Sequence, residues 1–179
     1  MFRVLAAVLL TATAGCQCPG LIGPSPLATA SEAEALAGRR AAASLEQRFG
    51  GLCDDARAEA RMLRLAGEIM PPQDARQENW QPRLLASDAI NAFSLPGGRI
   101  YLTAGLYRRL GQDDALLAAV LAHEIAHMVS RDSFKPGPAS AEEALRREID
   151  ADLMAAERLD RSGHGRNCAR GRTGRAARR

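Results

Sequence analysis

Residues 113–130 read DDALLAAVLAHEIAHMVS, an almost unbroken apolar run behind two acidic residues. Acidic side chains in a first turn favour the positive end of a helix dipole, so the run predicts a helix that ends near residue 130. A helix that is apolar on all sides is a buried one. His123, Glu124 and His127 nevertheless stand in its middle, and burying three such groups without partners costs on the order of several kcal/mol. The sequence therefore predicts a bound metal ion as their partner.

The motif His-Glu-x-x-His at residues 123–127 specifies how that ion is held. Its two imidazoles lie one helical turn apart on one face, so both can bind the same ion. Zinc suits two imidazoles and a carboxylate at about 2.0–2.2 Å, with a fourth position open to water. Glu124 leans towards the same ion, close enough to hold and deprotonate a water molecule. The alternative is a pair of hydrogen-bonded core histidines without a metal.

A third protein ligand is expected, and the chain offers two sources for it. His164 is the only other histidine. A helix predicted over residues 139–159 carries Glu148, Asp150 and Asp152, of which Glu148 and Asp152 share one face. One of these two can bind zinc while the other accepts the outer N–H of a ligating histidine. Taken alone, the cluster is also compatible with a solvated acidic face.

Two helices are predicted nearer the N-terminus. The first covers residues 31–48 and is broken by Gly50-Gly51, and the second extends from Asp54-Asp55 to Pro71-Pro72. The second carries an apolar stripe at helical spacing that we expect to face the core, formed by Ala58, Met62, Leu65 and Ile69.

The pattern changes to short strands between residues 82 and 106. Runs at 84–87 and 99–103, with 91–95 and a Pro-Gly-Gly turn between them, predict a small antiparallel meander or hairpin. A short helix is expected at 104–110. The predicted fold is α+β, mostly helical, with the His-Glu-x-x-His helix buried inside it.

These motifs together resemble those of the HtpX/BepA-like zinc metallopeptidases. The sequence combines His-Glu-x-x-His with Glu-x-x-Ala-Asp at 148–152, preceded by Asn-Ala-Phe at 91–93 and Pro-Gly-Gly at 96–98. Members of that family are gluzincins, and the family also contains the CAAX prenyl proteases and the Oma-type mitochondrial enzymes. The resemblance covers residues 88–159 and implies a small gluzincin-type zincin domain.

The resemblance also implies a role for each residue of the site. It makes His123, His127 and Glu148 the zinc ligands, with Asp152 supporting a ligand from outside. It makes Glu124 the general base and later the general acid. An edge strand before the Pro-Gly-Gly turn is implied to align an extended substrate peptide, and its residues in this chain are Asn91, Ala92, Phe93, Ser94 and Leu95.

The N-terminus has the pattern of an export signal. Arg3 precedes an apolar run at residues 4–10, and residues 12–14 have the small-x-small form that signal peptidase cleaves. Residues 13–16 also resemble a lipoprotein box, in which Cys16 is acylated and becomes the first mature residue. We therefore expect a signal peptide over residues 1–15 and an exported periplasmic protein anchored in the outer membrane. Ordinary secretion after Ala14 and a retained anchor are the alternatives.

The formal net charge of +3 combines two regions of opposite sign. Residues 160–179 hold seven Arg and one Asp, while the remaining 159 residues carry a net charge of −3. Because most of the chain is mildly acidic, its overall positive charge does not indicate nucleic-acid binding. We expect a linker at 16–30, a metallopeptidase domain at 31–160 with its catalytic core at 84–160, and a disordered basic tail at 161–179. Contact of that tail with anionic lipid or lipopolysaccharide is the alternative.

Together these features predict a zinc-dependent metalloendopeptidase of the bacterial cell envelope with one Zn²⁺ per chain. Its expected substrates are unfolded or misassembled polypeptides, which makes protein quality control its expected role. It is expected to reach the membrane through its lipid anchor and to have no nucleic-acid partner. The alternative is a chaperone-like binding module on the same scaffold, metal-bound but weakly catalytic. The intact Glu124 favours the enzyme.

Overall fold

The computed structural model describes residues 26–70, 80–132, 135 and 137–165. The predicted signal segment, Cys16 and the tail beyond residue 165 lie outside these ranges. The predicted α+β class is confirmed, since helices and one four-stranded sheet share the described part of the chain. The elements in chain order are α1 (Pro26–Arg48), β1 (Leu52–Cys53), α2 (Ala56–Ile69), β2 (Gln81–Leu85), β3 (Ala92–Leu95), β4 (Arg99–Thr103), α3 (Ala104–Leu110), α4 (Asp114–Val129) and α5 (Ala141–Ser162).

The helices begin at side chains that satisfy their first backbone N–H groups. Asp55, Asp113 and Ser140 accept such hydrogen bonds at the starts of α2, α4 and α5. Helix α1 begins five residues earlier than predicted, because proline is tolerated at a first helical position. Helix α5 continues to Ser162, two residues past the predicted domain edge, and ends where Gly163 adopts a φ of 81°.

The sheet has the order β1-β2-β4-β3 and is mixed. The predicted hairpin is confirmed, since β3 and β4 pair antiparallel around the Pro-Gly-Gly turn. The predicted meander is wrong, because β2 pairs in parallel with β4 and not with β3. Residues 86–91 lack the glycine or proline of a tight hairpin turn, so the chain passes over the sheet end and enters β3 beyond β4. Gly105 allows this crossing, since a Cβ there would stand 2.2 Å from the Asp88 carbonyl oxygen.

Alternate residues of the strands point to opposite faces of the sheet, as pleating requires. On one face, Leu85, Leu95 and Tyr101 pack against Ala42 of α1. The other face packs against α2, α4 and part of α5 to form the larger core. The predicted stripe of α2 is confirmed, since all four of its residues are buried in that core, namely Ala58, Met62, Leu65 and Ile69.

Helix α4 runs through the larger core and carries the His-Glu-x-x-His motif. Its centre is buried, but the prediction that it is buried on all sides is wrong towards its ends, where Leu116 and Val129 are exposed. The reason is that α2, α5 and the sheet cover only part of its circumference. Among the described helices, none combines the length and hydropathy that a membrane span requires.

Candidate metal centre

Helix α4 brings the two motif histidines together. Residues four apart in a helix lie on one face, and the Nε2 atoms of His123 and His127 stand 3.1 Å from each other. Their rings meet edge to face, with centroids 4.7 Å apart. His127 is buried and His123 is half-buried, so the two Nε2 atoms lie together at a position that is partly shielded from solvent.

Helix α5 supplies the third group. The Oε2 atom of Glu148 lies 3.4 Å from Nε2 of His123 and 3.7 Å from Nε2 of His127. Donor atoms placed about 2.0–2.2 Å from one tetrahedral ion stand roughly 3.3–3.6 Å from each other. The observed separations of 3.1, 3.4 and 3.7 Å lie around this range, so small side-chain adjustments would place the three atoms at three corners of a zinc tetrahedron.

The outer nitrogens of both histidines face carboxylates. Nδ1 of His123 is 2.9 Å from Oδ1 of Asp152, and Nδ1 of His127 is 2.8 Å from Oδ2 of Asp132. A neutral imidazole that donates from Nδ1 presents a lone pair at Nε2. The lone pairs of the two Nε2 atoms and the Glu148 carboxylate then face one another. These negative groups repel one another unless a cation lies between them. The donor set thus fits a divalent metal that prefers imidazole and carboxylate ligands, as zinc does.

Asp132 is the member of this group that the sequence did not indicate. It follows α4 in a turn, five residues after His127, where no helical or strand periodicity marks its side chain. Its Oδ1 accepts a hydrogen bond of 2.6 Å from Nζ of Lys135. Burial works to raise the pKa of Asp132, but the hydrogen bonds from Lys135 and His127 outweigh it and hold that pKa below its usual value.

Glu124 is buried in the core, close enough to His123 and Glu148 for their charges to act on its carboxyl group. Burial raises the pKa of its carboxyl group to about 7, while His123 and a hydrogen bond from Ser94 oppose that rise and Glu148 adds to it. A carboxylate with such a pKa can accept and release a proton near neutral pH.

The predicted substrate strand lies at the open edge of the sheet. The N–H of Thr103 donates to the Asn91 carbonyl, which fixes the alternation of backbone hydrogen bonds in the antiparallel pair. The backbone N–H and C=O groups of Asn91, Phe93 and Leu95 therefore point towards β4, and those of the two residues between them point away from it. The side chain of Asn91 already accepts the outward N–H of Ala92. The Ala92 carbonyl and both backbone groups of Ser94 therefore face the edge, while the Ser94 side chain contacts Glu124.

Other polar residues that the sequence analysis singled out lie elsewhere. His164 is hydrogen-bonded to Glu68 on α2 at 2.9 Å, so it is not the third member of the cluster. Asp150 is exposed on α5 and does not join the group formed by His123, His127 and Glu148.

Two comparisons with known proteins agree with this geometry. Residues 54–137 match Peptidase family M48. The mitochondrial metalloendopeptidase OMA1 of Schizosaccharomyces pombe is 43% identical over 54 residues, which are 30% of this chain and 16% of that protein. The predicted resemblance to the metallopeptidase family that includes Oma-type enzymes is confirmed.

The matched family region covers the α4 part of the site. It contains His123, Glu124 and His127 but ends before Glu148. Glu148 and Asp152 are placed at the site by the Glu-x-x-Ala-Asp motif and by their distances to the histidines. Both matches support a metalloprotease.

Proposed function

We propose that the chain is a zinc-dependent metalloendopeptidase that hydrolyses peptide bonds in extended, unfolded polypeptides. The observation that carries this proposal is the convergence of His123 Nε2, His127 Nε2 and Glu148 Oε2 at 3.1–3.7 Å beside a buried carboxylate. Two histidines and one glutamate with a fourth position left for water form the ligand set of a catalytic zinc site.

In this proposal the two histidines and Glu148 hold the zinc, and Glu124 moves the proton. When bound, zinc supplies a Lewis acid that polarises a peptide carbonyl and makes water acidic near neutral pH. The Glu124 carboxylate accepts a proton from the attacking water and later delivers it to the leaving amine. Asp152 holds the ring of His123 through Nδ1.

The substrate is proposed to bind as an added strand along β3. The outward Ala92 carbonyl and the two backbone groups of Ser94 can pair with an extended chain whatever its side chains are. Because the Ser94 hydroxyl also contacts Glu124, a strand paired there lies beside the catalytic carboxylate. Such backbone recognition selects unfolded segments over folded ones, which supports a role in protein quality control.

The proposed location is the bacterial cell envelope, through an outer-membrane lipid anchor on Cys16. The support is the residue pattern alone, an apolar run followed by Thr-Ala-Gly-Cys at 13–16. Replacing Cys16 with serine should abolish labelling by a fatty-acid probe and release the protein from the membrane fraction. A wild-type mature N-terminus at Gly15 in mass spectrometry would contradict this proposal and indicate ordinary secretion.

Zinc content and casein cleavage together test the enzymatic proposal. The purified chain should contain one zinc ion and cleave casein, lose cleavage when a chelator strips the metal, and recover it when zinc alone is restored. A stoichiometric zinc protein that leaves casein and other unfolded chains intact would instead support the binding module.

A further inference from the structure

The two carboxylates behind the histidines differ in their surroundings. The side chain of Asp152 is 75% exposed, whereas that of Asp132 is 15% exposed. Water screens an exposed charge and competes for its hydrogen bonds, so a contact made by a sheltered carboxylate is stronger than the same contact at the surface. At nearly equal distances from their nitrogens, Asp132 therefore holds His127 more firmly than Asp152 holds His123.

Asp132 is also fixed from both sides. Its Oδ2 faces Nδ1 of His127 at 2.8 Å, and its Oδ1 accepts from Lys135 at 2.6 Å. With both oxygens engaged, the carboxylate has little freedom to rotate. The His127 ring is consequently held in one orientation and one tautomer.

The backbone before Asp132 is bent in an unusual way. Arg131 has a φ of 55°, the one positive value of a non-glycine residue among the described positions. That left-handed conformation is unfavourable for a residue with a side chain. It turns the chain back at the end of α4, which brings Asp132 against a histidine five residues earlier.

We propose that Asp132 is the main positioning residue of the metal centre. Asp132 orients His127 so that Nε2 points at the ion, and the hydrogen bond from Lys135 fixes the Asp132 carboxylate in place. The inference rests on the proposed function, since it assumes that the histidines bind zinc. Asp132 touches neither the metal nor the substrate, so it acts only through His127.

Zinc affinity separates this role from a general contribution to folding. The purified wild type and the Asp132→Asn, Asp152→Asn and Glu59→Gln variants would be titrated with zinc against a chromophoric chelator. We expect Asp132→Asn to weaken zinc binding roughly 10–100-fold and Asp152→Asn to weaken it less. Glu59→Gln is the matched control, because Glu59 is a half-buried carboxylate paired with Arg83 on another element, and it should bind as wild type does.

The absorption spectrum of the cobalt-substituted protein gives a second readout. A displaced His127 ring changes the ligand field, so Asp132→Asn should alter the visible cobalt bands while Glu59→Gln leaves them unchanged. Asp132→Glu, which keeps the charge, should recover part of the zinc affinity. If Asp132→Asn does not fold, Lys135→Met decides the matter, since it removes only the exposed partner and should lower the affinity several-fold.

The outcomes also distinguish this inference from the proposed function. If wild type binds zinc and cleaves casein while Asp132→Asn keeps wild-type affinity and bands, Asp132 has no positioning role and the enzymatic proposal is unaffected. Equal losses in Asp132→Asn and Asp152→Asn would overturn the claim that Asp132 is the main residue. A wild type that binds no zinc would overturn both proposals.

Discussion

At the scale of single residues, the site depends on which carboxylate of α5 turns inwards. Glu148 reaches the histidines, whereas Asp150, two residues along the same helix, is exposed to solvent. A helix turns about 100° per residue, so these neighbouring acids point in widely different directions. Of the two, only Glu148 lies within reach of both His123 and His127.

Glu148→Ala should therefore remove most of the bound zinc, because two histidines alone hold the metal weakly. Asp150→Ala has the same change of charge on the same helix and should keep stoichiometric zinc. Elemental analysis of the two purified variants checks this. Retention of zinc in Glu148→Ala together with its loss from Asp150→Ala would show that the ligand assignment is wrong.

The sequence could predict the histidines and the acidic cluster but not every contact around them. The spacing of His123 and His127 is a helical signal, and the motif resemblance selected Glu148 from three acids. Asp132 carried no such signal, because it lies in a turn where side-chain direction follows the local backbone. The left-handed conformation of Arg131, which directs the Asp132 side chain towards His127, could not be predicted from residue type.

At the scale of elements, the fold rests on capped helices and on a few close backbone approaches. The start of α2, the start of α4 and the end of α3 were predicted to within a few residues because Asp55, Asp113 and Gly111 mark them in the sequence. The pairing of β2 with β4 was not predictable in the same way. It depends on a crossing over the sheet end that tertiary packing stabilises, and strand periodicity does not report strand neighbours.

Two glycines in helices should respond in opposite ways to alanine. A Cβ on Gly105 would lie 2.2 Å from the Asp88 carbonyl oxygen, so Gly105→Ala should lower the free energy of unfolding by about 1–3 kcal/mol. Among the described residues, no atom outside the adjoining turns of its own helix lies within 4 Å of the Cβ position of Gly67, so Gly67→Ala should raise the free energy of unfolding by about 0.5–1 kcal/mol. Urea denaturation of both variants measures the difference, and a stabilised Gly105→Ala would show that the Asp88 carbonyl does not lie close to Gly105.

Asp114 links the start of α4 to α2, and its effect should depend on pH. It accepts hydrogen bonds of 2.7 Å from both Arg61 and Arg64, which lower the pKa of its carboxyl group. A carboxyl group with a lowered folded-state pKa stabilises the protein above its unfolded pKa, and that stabilisation is lost as the pH falls through the folded pKa.

Asp114→Asn should accordingly lower the melting temperature at pH 7 but have little effect once acid protonates Asp114 in the wild type. Thermal unfolding across this range tests the linkage, with Asp54→Asn, an exposed acid before the same α2 helix, as the control. A difference between wild type and variant that stays constant down to the most acidic pH would mean that packing, and not charge, joins the two helices.

At the scale of the whole molecule, the sheet, α4 and α5 contribute different parts of one centre. The edge strand β3 offers backbone groups, α4 holds two histidines and the buried Glu124, and α5 adds Glu148. The sequence predicted these parts because each is a local motif. Their meeting depends on the sheet order and the packing of α4, which only the structure shows. In the proposed function, Glu124 moves the proton of a hydrolytic reaction.

Comparing wild type with Glu124→Gln tests the claim that Glu124 transfers this proton. Glutamine is nearly isosteric but cannot accept the proton, so the variant should keep its fold and its zinc while casein cleavage falls by roughly 10²–10⁴-fold. Zinc content and circular dichroism, measured on the same samples, show that only the chemistry has changed. Equal cleavage rates in two zinc-loaded, folded proteins would contradict the claim.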